Sequence, residues 1–586
     1  MPSIFLALIV SYHLIFGQYF PTKSGTLGGD YSQILPNLLD GYFWIRNNGL
    51  FKPFWFTPAF CGGMPELGDP ASIFYSTAQF LTVFVDPLIG IYASVLLFAT
   101  LGFLGFYLLL RKCFDASVQA AVLGGALFMF NGFFAHRMMI GHYVYHSVML
   151  APGIAWLLLR PVAKDRKFAN LLSGAAAGCL VAYGTYSGLV SIMLPFIISV
   201  LVIVCLHGFY DRPFYGFLPR CAVLLFTSIG LSSAKLVATI SFLRNFPRSD
   251  YSLPGISGAW ETVRLISSSL FISPPNIVQQ ALPLVANRQW ALNREEWEYG
   301  VTAVPVFIIL IGIVVGIRNL KSIRPKLNFT RWAWLVLLGF FMMLPFALNI
   351  YTPGWNEFLK DLPLIKSSST LLRWFLIYIP FVILISALLM DRIFRKSSFR
   401  NGMLACALIA LVSINAAKDR RYYQFQNYRP DTINSAWKAM HSGIAGAPRI
   451  NEISATFADN NAVQIPLDRN DDIAAGKSQL ACNSSIFGYR LEHFPVKALH
   501  VGSVFAVRDG LLNIKNPVCY VYPEQNDCAP GDHFTIAQIE AAQAFVSYKP
   551  YMFNFSFGQK IANLATLATL FLLSVFLAVA FFRKIR

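Results

Sequence analysis

Long apolar runs broken by short basic connectors fill most of the first 416 residues of this 586-residue chain, and one more apolar run lies near its end. Runs of spanning length fall at 4–20, 88–110, 117–134, 145–160, 168–187, 189–206, 220–242, 301–317, 330–349, 371–390, 401–416 and 561–582. The pattern predicts an α-helical polytopic membrane protein of about twelve transmembrane helices. The connectors Arg111–Lys112, Arg160 to Lys167, Arg212 to Arg220, Arg318 to Lys326 and Arg392 to Arg400, with the terminal Arg583-Lys584-Ile585-Arg586, carry excess positive charge. With twelve spans all of them fall on one side, so that side and both termini are predicted to be cytoplasmic.

The opposite side receives 21–87, 135–144, the turn near Gly188, 243–300, 350–370 and 417–560. The last of these is a shift in composition. It is polar, with short alternating runs at Ser503–Val507 and Val518–Val521 and turns at Gly510, Asn516-Pro517 and Pro530-Gly531. Three parts follow: a membrane region 1–416 with outer loops 21–87, 243–300 and 350–370; a small α/β or β-rich extracytoplasmic domain 417–560; and a final span with a basic tail, 561–586. No internal repeat and no low-complexity segment is visible.

Composition agrees. Hydrophobic residues make up 56% and charged residues 13%, and mean hydropathy is +0.53, where a soluble chain carries roughly a quarter charged residues. The net charge of +18 sits in the connectors, not on a basic face, so membrane orientation accounts for it and nucleic-acid binding is disfavoured. The N-terminus lacks a basic leader and a small-x-small cleavage site and reads as a retained span. Of nine cysteines, Cys113, Cys179, Cys205, Cys221 and Cys406 lie in or beside apolar runs, whereas Cys61, Cys482, Cys519 and Cys528 lie outside. Cys519 and Cys528 are close enough in sequence to close a small disulfide loop in an oxidising compartment.

Candidate chemistry gathers in the outer segments. The stretch Gly28–Pro87 is too polar and too rich in Gly and Pro to span, and Trp44, Trp55 and many Phe anchor it beside the bilayer. Asp30, behind the Gly28-Gly29 hinge, suits a general base or ligand. It equally suits a helix N-cap, with Gln33 completing a capping box. Glu66 and Asp69, in GGMPELGDP, form a second acidic point that also reads as a turn. His136, Arg137, His142 and His146 crowd HRMMIGHYVYH. The i, i+4 spacing of His142 and His146 puts them on one face of a helix, where a zinc site would need a third ligand. An anion or lipid phosphate suits these cations better, and ordinary snorkelling at the interface accounts for them equally well. Lys366 and Arg373 flank a span on the side where topology does not ask for them, and Ser367 to Thr370 can cap the helix and donate to a phosphate. In 243–300, Arg264, Arg288, Arg294, Glu295, Glu296 and Glu298 alternate with Trp260, Trp290 and Trp297, as in a sugar-stacking loop or an interfacial helix. No Walker A, G-x-G-x-x-G, G-x-S-x-G or HExxH motif occurs.

Several of these motifs resemble YfhO-type bacterial membrane proteins, relatives of the GT-C glycosyltransferases. They are GGDYSQ, then P-F-W-x-x-P, GGMP and DPASIFY, followed by GHYVYH, EYG at Glu298–Gly300, and LPL with Arg373. The resemblance implies a GT-C-like fold and transfer of a sugar from a polyprenyl-phosphate donor to a lipid-linked or envelope glycan, such as lipopolysaccharide or cell-wall glycan. The site would lie at the outer face of the bacterial inner membrane. It maps the catalytic carboxylate to Asp30, and the residues themselves place Gln33, Glu66, Asp69, Arg137, His142, His146, Glu298, Lys366 and Arg373 as candidates around the substrates. No metal ligand is assigned, and the missing DxD pair leaves dependence on Mg or Mn open. The residues suit this chemistry by themselves, because a leaving phosphate needs cations and no proton, while the acceptor hydroxyl needs a base. Such an inverting transfer does not need the two carboxylates of a retaining glycosidase. The competing expectations are a transporter or flippase of lipid-linked saccharides, for which mid-membrane charges are scarce and Lys235 is one of few candidates, and an assembly protein acting through 417–560.

Overall fold

The computed structural model describes residues 2–21, 25–162, 167–210, 212–245, 252–287, 292–318, 328–363, 365–366, 368, 370–394, 396–424, 428–454, 470–480, 482 and 499–585. Arg288, Trp290, Ser367 and most of the connector Arg318 to Lys326 lie outside the described residues.

Among the described residues, ten helices are long and apolar enough to cross a bilayer, and two shorter apolar helices, Tyr143–Leu159 and Val304–Val315, fill the remaining positions in the hydropathy pattern. The protein is a mostly helical, multi-pass membrane protein. Polar caps set where the helices start. Asp86 accepts from the Ile89 amide at 3.0 Å with Pro87 in the first turn, a pairing that satisfies one orphan donor and removes another. Ser117 caps Val118–Met129. Asn131 then interrupts that run and caps a separate helix, Gly132–Ile140, through the Phe134 amide at 3.0 Å. Much of the segment 135–144, expected as a loop, is therefore helical, and it carries its charged side chains inward.

Among the described residues, four of the connectors meet at one end of the bundle. Arg212 pairs with Asp115, Arg220 donates to the carbonyls of Leu158 and Arg160 and to Asn170, and Arg400 pairs with Asp391 at 2.8 Å. Asp391 also accepts from the Ser117 amide at 3.2 Å. The long segments meet at the other end.

There, residues 417–560 do not stand apart from the first outer loop. Two three-stranded sheets form, one from Glu452–Ser454 with Lys477–Gln479 and Gly502–Ser503, the other from Leu511–Lys515 with Val507–Arg508 and His533–Thr535. Arg508 pairs with Leu511 across Asp509 and Gly510, both at positive φ (51° and 78°), the geometry a tight hairpin requires. Val518–Val521, expected as a strand, is a helical turn, because Pro517 ahead of it presets helical φ and contributes no strand donor. Leu27 bridges Tyr428. Thr57 and Tyr548 both donate to the buried carboxylate of Asp40, at 2.9 and 2.7 Å, which burial pushes well above the ordinary range. Trp437 donates to the Thr82 carbonyl at 3.0 Å.

A disulfide joins Cys61 to Cys482 across 421 residues, and a second closes the expected loop between Cys519 and Cys528. Cys113, Cys179, Cys205, Cys221 and Cys406 are free thiols. Alkylation of the denatured, unreduced protein is therefore expected to label five of the nine cysteines, and all nine after reduction. Intact-mass measurement checks this, and seven or more labels before reduction would remove one or both bridges.

Candidate functional site

Asp30 sits at the start of helix Tyr31–Asn48, yet its side chain makes no capping bond, and the capping box with Gln33 does not form. Gln33 is half-buried, and its amide donates to the Asp30 carbonyl at 3.1 Å. The carboxylate turns instead to His142, with Oδ2 2.5 Å from Nε2, and remains 46% exposed. Two glycines bring these segments together. A Cβ on Gly28 would lie 2.2 Å from the Cα of Ile140, and one on Gly141 would lie 2.4 Å from the Tyr31 nitrogen, with Gly141 at φ +105°. Only residues without a side chain allow this approach, and the Asp30 amide donates across it to the Ile140 carbonyl at 3.0 Å.

From His142 the contacts run inward. Its Nδ1 lies 3.0 Å from Nη1 of Arg137. A guanidinium can only donate, so Nδ1 accepts and the proton resides on Nε2, which donates to Asp30. Arg137 is completely buried and pairs with Glu296 through Nη1 at 3.4 Å and Nη2 at 2.8 Å. Arg373 meets the same carboxylate from the other side, with Nε at 3.1 and 3.3 Å and Nη2 at 2.6 Å. Both guanidiniums face the ring of Tyr145, at 5.2 and 5.4 Å. Asp30 and Arg373, 343 positions apart by their numbers (373 − 30), thus belong to one chain of contacts. Burial opposes ionisation of Glu296, but Arg137 and Arg373 outweigh it and hold the carboxyl well below its usual range.

The acidic segment is placed by backbone bonds. Gly132 donates to the carbonyls of Tyr299 and Gly300 at 3.0 and 3.1 Å, while Tyr299 and Val301 donate to Ser269 and Leu270. Tyr299 also donates through its hydroxyl to the Leu372 carbonyl at 2.6 Å, and the Leu371 carbonyl accepts from Asn349 at 3.0 Å. These bonds fix Arg373 against Glu296. Thr370 Oγ1 accepts from the Leu372 amide at 3.2 Å in a turn ahead of the helical segment. The N-cap of that segment is Leu371 without a side-chain bond, so the expected hydroxyl cap does not form there.

Glu298 organises a second buried cluster directly beside the first. Tyr423 donates to it at 2.5 Å and Arg294 at 3.0 Å, with Lys418 at 3.7 Å and His136 at 3.8 Å. Burial raises its pKa, and His136, Lys418 and Arg294 more than reverse this, to about 2. Glu295 lies between the clusters and accepts from Tyr422 at 3.1 Å. Its carboxyl is raised, chiefly by burial, with His142 opposing and Glu296 adding to the shift.

Other expected residues stand elsewhere. His146 is buried and satisfied, between the Tyr143 carbonyl at 2.6 Å and the Tyr183 hydroxyl at 2.7 Å. It shares no helical face with His142, which precedes a 3₁₀ turn, Tyr143–Leu150. Glu66 accepts from Ser72 at 2.6 Å, and Asp69 Oδ1 from the Ala71 amide at 2.7 Å. Lys235 reaches this loop and donates to the carbonyls of Leu67 and Asp69 at 3.3 and 2.8 Å. Lys366 is exposed, and its carbonyl accepts from Lys360 at 2.7 Å. Among the described residues no three of His, Cys, Asp and Glu converge on a point that could hold a metal ion. Glu296, Lys418, Tyr422 and Tyr423 carry contacts that the sequence reading did not assign. The acid at 296 was masked by its Glu-Glu-Trp-Glu setting, which reads as an amphipathic turn.

No protein-family model matches this chain, and no curated protein does. Solved structures similar to it include crystal structures of the Archaeoglobus fulgidus oligosaccharyltransferase. The apo form is 12% identical over 83% of this chain, with a TM-score of 0.43. The complex with Zn and sulfate is 13% identical over 82% of this chain and 62% of that one, with a TM-score of 0.39. The archaeal oligosaccharyltransferase AglB in complex with an inhibitory peptide and a dolichol-phosphate is 13% identical over 82% of this chain and 65% of that one, also with a TM-score of 0.39. The chain spans 65% of the length of the apo oligosaccharyltransferase. Likeness at this level decides neither family nor activity.

Two outcomes are expected from the buried charges. Glu296→Gln leaves two guanidiniums without their shared anion and is expected to lower stability by about 3–5 kcal/mol, read as a thermal shift in detergent. Glu298, held at about 2 against an ordinary 4.5, contributes stability that is fully present above pH 4.5 and is lost as pH falls toward 2. Thermal melts across that window should fall steeply for the wild type and less steeply for Glu298→Gln.

Proposed function

We propose that this chain is a membrane glycosyltransferase of GT-C type that takes a sugar from a polyprenyl-phosphate donor. The observation that carries the reading is the half-exposed Asp30 carboxylate, joined through His142 and Arg137 to the Glu296–Arg373 pair. His142 occupies Oδ2, which leaves Oδ1 to take the proton of an acceptor hydroxyl. The hydroxyl oxygen then bonds to the anomeric carbon as the bond from that carbon to the phosphate oxygen breaks. The phosphate leaves with the electron pair and needs no proton, only cationic donors. Arg373 is suited to this, because its side chain is 23% exposed and no hydrogen bond engages its Nη1 among the described residues. A single displacement of this kind inverts the anomeric configuration. Mg or Mn at the donor phosphate remains compatible with the reading, and no step above depends on it.

The proposed setting is the outer face of a bacterial inner membrane, with both termini cytoplasmic and an envelope glycan or lipid-linked saccharide as acceptor. Two disulfides at the end bearing 417–560 suit an oxidising compartment, and the basic connectors gathered at the other end suit the cytoplasm. Gln33 and Glu298 serve this reading as supports beside the site, whereas Glu66, Asp69, His146 and Lys366 make their own contacts elsewhere and are given no role in it. The flippase reading is less favoured, because Lys235, one of its few candidate mid-membrane charges, is engaged by the loop carbonyls of Leu67 and Asp69.

Purified protein given a panel of polyprenyl-phosphate sugars with candidate acceptors should release polyprenyl phosphate. Asp30→Asn should lower that release by roughly 10²–10⁴-fold. Undiminished release in the variant would remove Asp30 as the base. Lipid-linked sugar crossing proteoliposomes with no donor consumed would make the chain a flippase.

A further inference from the structure

The far end of helix Tyr31–Asn48 builds a second concavity. Asp30 and Trp44 lie at opposite ends of that helix, roughly 20 Å apart along its axis. A cavity of about 310 Å³ opens there between the segment after the helix and residues 545–555. Its wall is aromatic. Trp44 stacks on Phe54 at 4.7 Å, and Trp55 contacts Phe555 at 4.9 Å and Phe553 at 6.1 Å. The Trp44 indole donates to the Lys52 carbonyl at 2.9 Å on one side, and the Asn47 and Asn48 side-chain amides join the two sides by donating to the carbonyls of Ser547 and Tyr548 at 3.1 and 2.9 Å. Lys52 and Lys549 line the cavity and are exposed. Neither has an acidic partner among the described residues, and no acidic side chain lines the cavity.

Position narrows the occupant. Phe553 and Phe555 lie within four residues of Phe557, where the last membrane helix begins, so the cavity opens where that helix enters the bilayer, at the outer surface in the orientation proposed above. Phe51 and Met552 beside it are 98% and 93% exposed, which is costly in water and favourable among headgroups and acyl chains. An apolar aromatic wall, two unpaired cations and a place at the interface are complementary to one kind of molecule. We propose that this groove binds an anionic lipid of the outer leaflet, with the headgroup phosphate between Lys52 and Lys549 and the upper chain against Trp55, Phe553 and Phe555. The site is independent of the transferase reading and holds whether or not Asp30 is a catalytic base.

Tryptophan emission of the full-length protein in detergent, titrated with brominated lipids, tests this, because bromine quenches only indoles it approaches. The component contributed by Trp55, read as the difference from Trp55→Phe, should respond to brominated phosphatidylglycerol at a roughly tenfold lower mole fraction than to brominated phosphatidylcholine. The double variant Lys52→Gln/Lys549→Gln changes only exposed side chains and should bring the two lipids to parity. Parity in the wild type would reduce the groove to an ordinary interfacial aromatic belt. A preference that persists in the double variant would place the anion elsewhere. Loss of the effect on adding inorganic phosphate alone would make this a free-anion site and overturn the lipid assignment.

Discussion

The outer end of this protein depends on one carboxylate held between two guanidiniums. Arg137 comes from a short helix after the third apolar run, Arg373 from the start of a later span, and Glu296 from the loop between them. Moving such charges out of water costs several kcal/mol per ion, and only close geometry with further hydrogen bonds compensates. The five contacts at Glu296 supply that geometry. They also fix where Arg137 presents Nη1 to His142, and therefore where His142 holds Asp30. An exposed carboxylate is in this way oriented by a buried ion pair two side chains away.

The same constraint explains the loops. A carboxylate can be directed only if the segment bearing it is rigid, and the first outer loop is tied on every side. Gly28 and Gly141 let it press against the Ile140–Gly141 backbone. Asp40 accepts from Thr57 and Tyr548, and Cys61 is bonded to Cys482. Residues 417–560 thus brace the loop that carries Asp30.

Much of this was legible in the sequence. Hydropathy located the spans because a bilayer imposes a length and forbids unpaired polar backbone. Arg373 stood out because a cation at the outer margin of an apolar run does not serve topology, Asp30 because it follows a Gly-Gly hinge in an aromatic outer loop, and Arg137 and His142 because cations crowd one short segment. Glu296 did not, since nothing local tells a carboxylate that meets two distant arginines from its neighbours Glu295 and Glu298. The union of Cys61 with Cys482 is equally silent in sequence, because connectivity across 421 residues is a property of the fold. Local patterning failed at Val518–Val521, where Pro517 outweighed β propensity. It failed again at His142 and His146, where a 3₁₀ turn replaced the α-helical spacing that would have aligned them.

In the proposed reaction Arg373 receives the phosphate of a lipid-linked donor while Asp30 faces the acceptor hydroxyl. A structure of the protein with a polyprenyl phosphate bound tests it most directly. The phosphate is expected within hydrogen-bonding distance of Arg373, with the Asp30–His142 contact intact and Oδ1 of Asp30 open to the space beyond it. A phosphate bound away from Arg373, for example at the Glu66–Lys235 loop, would contradict it.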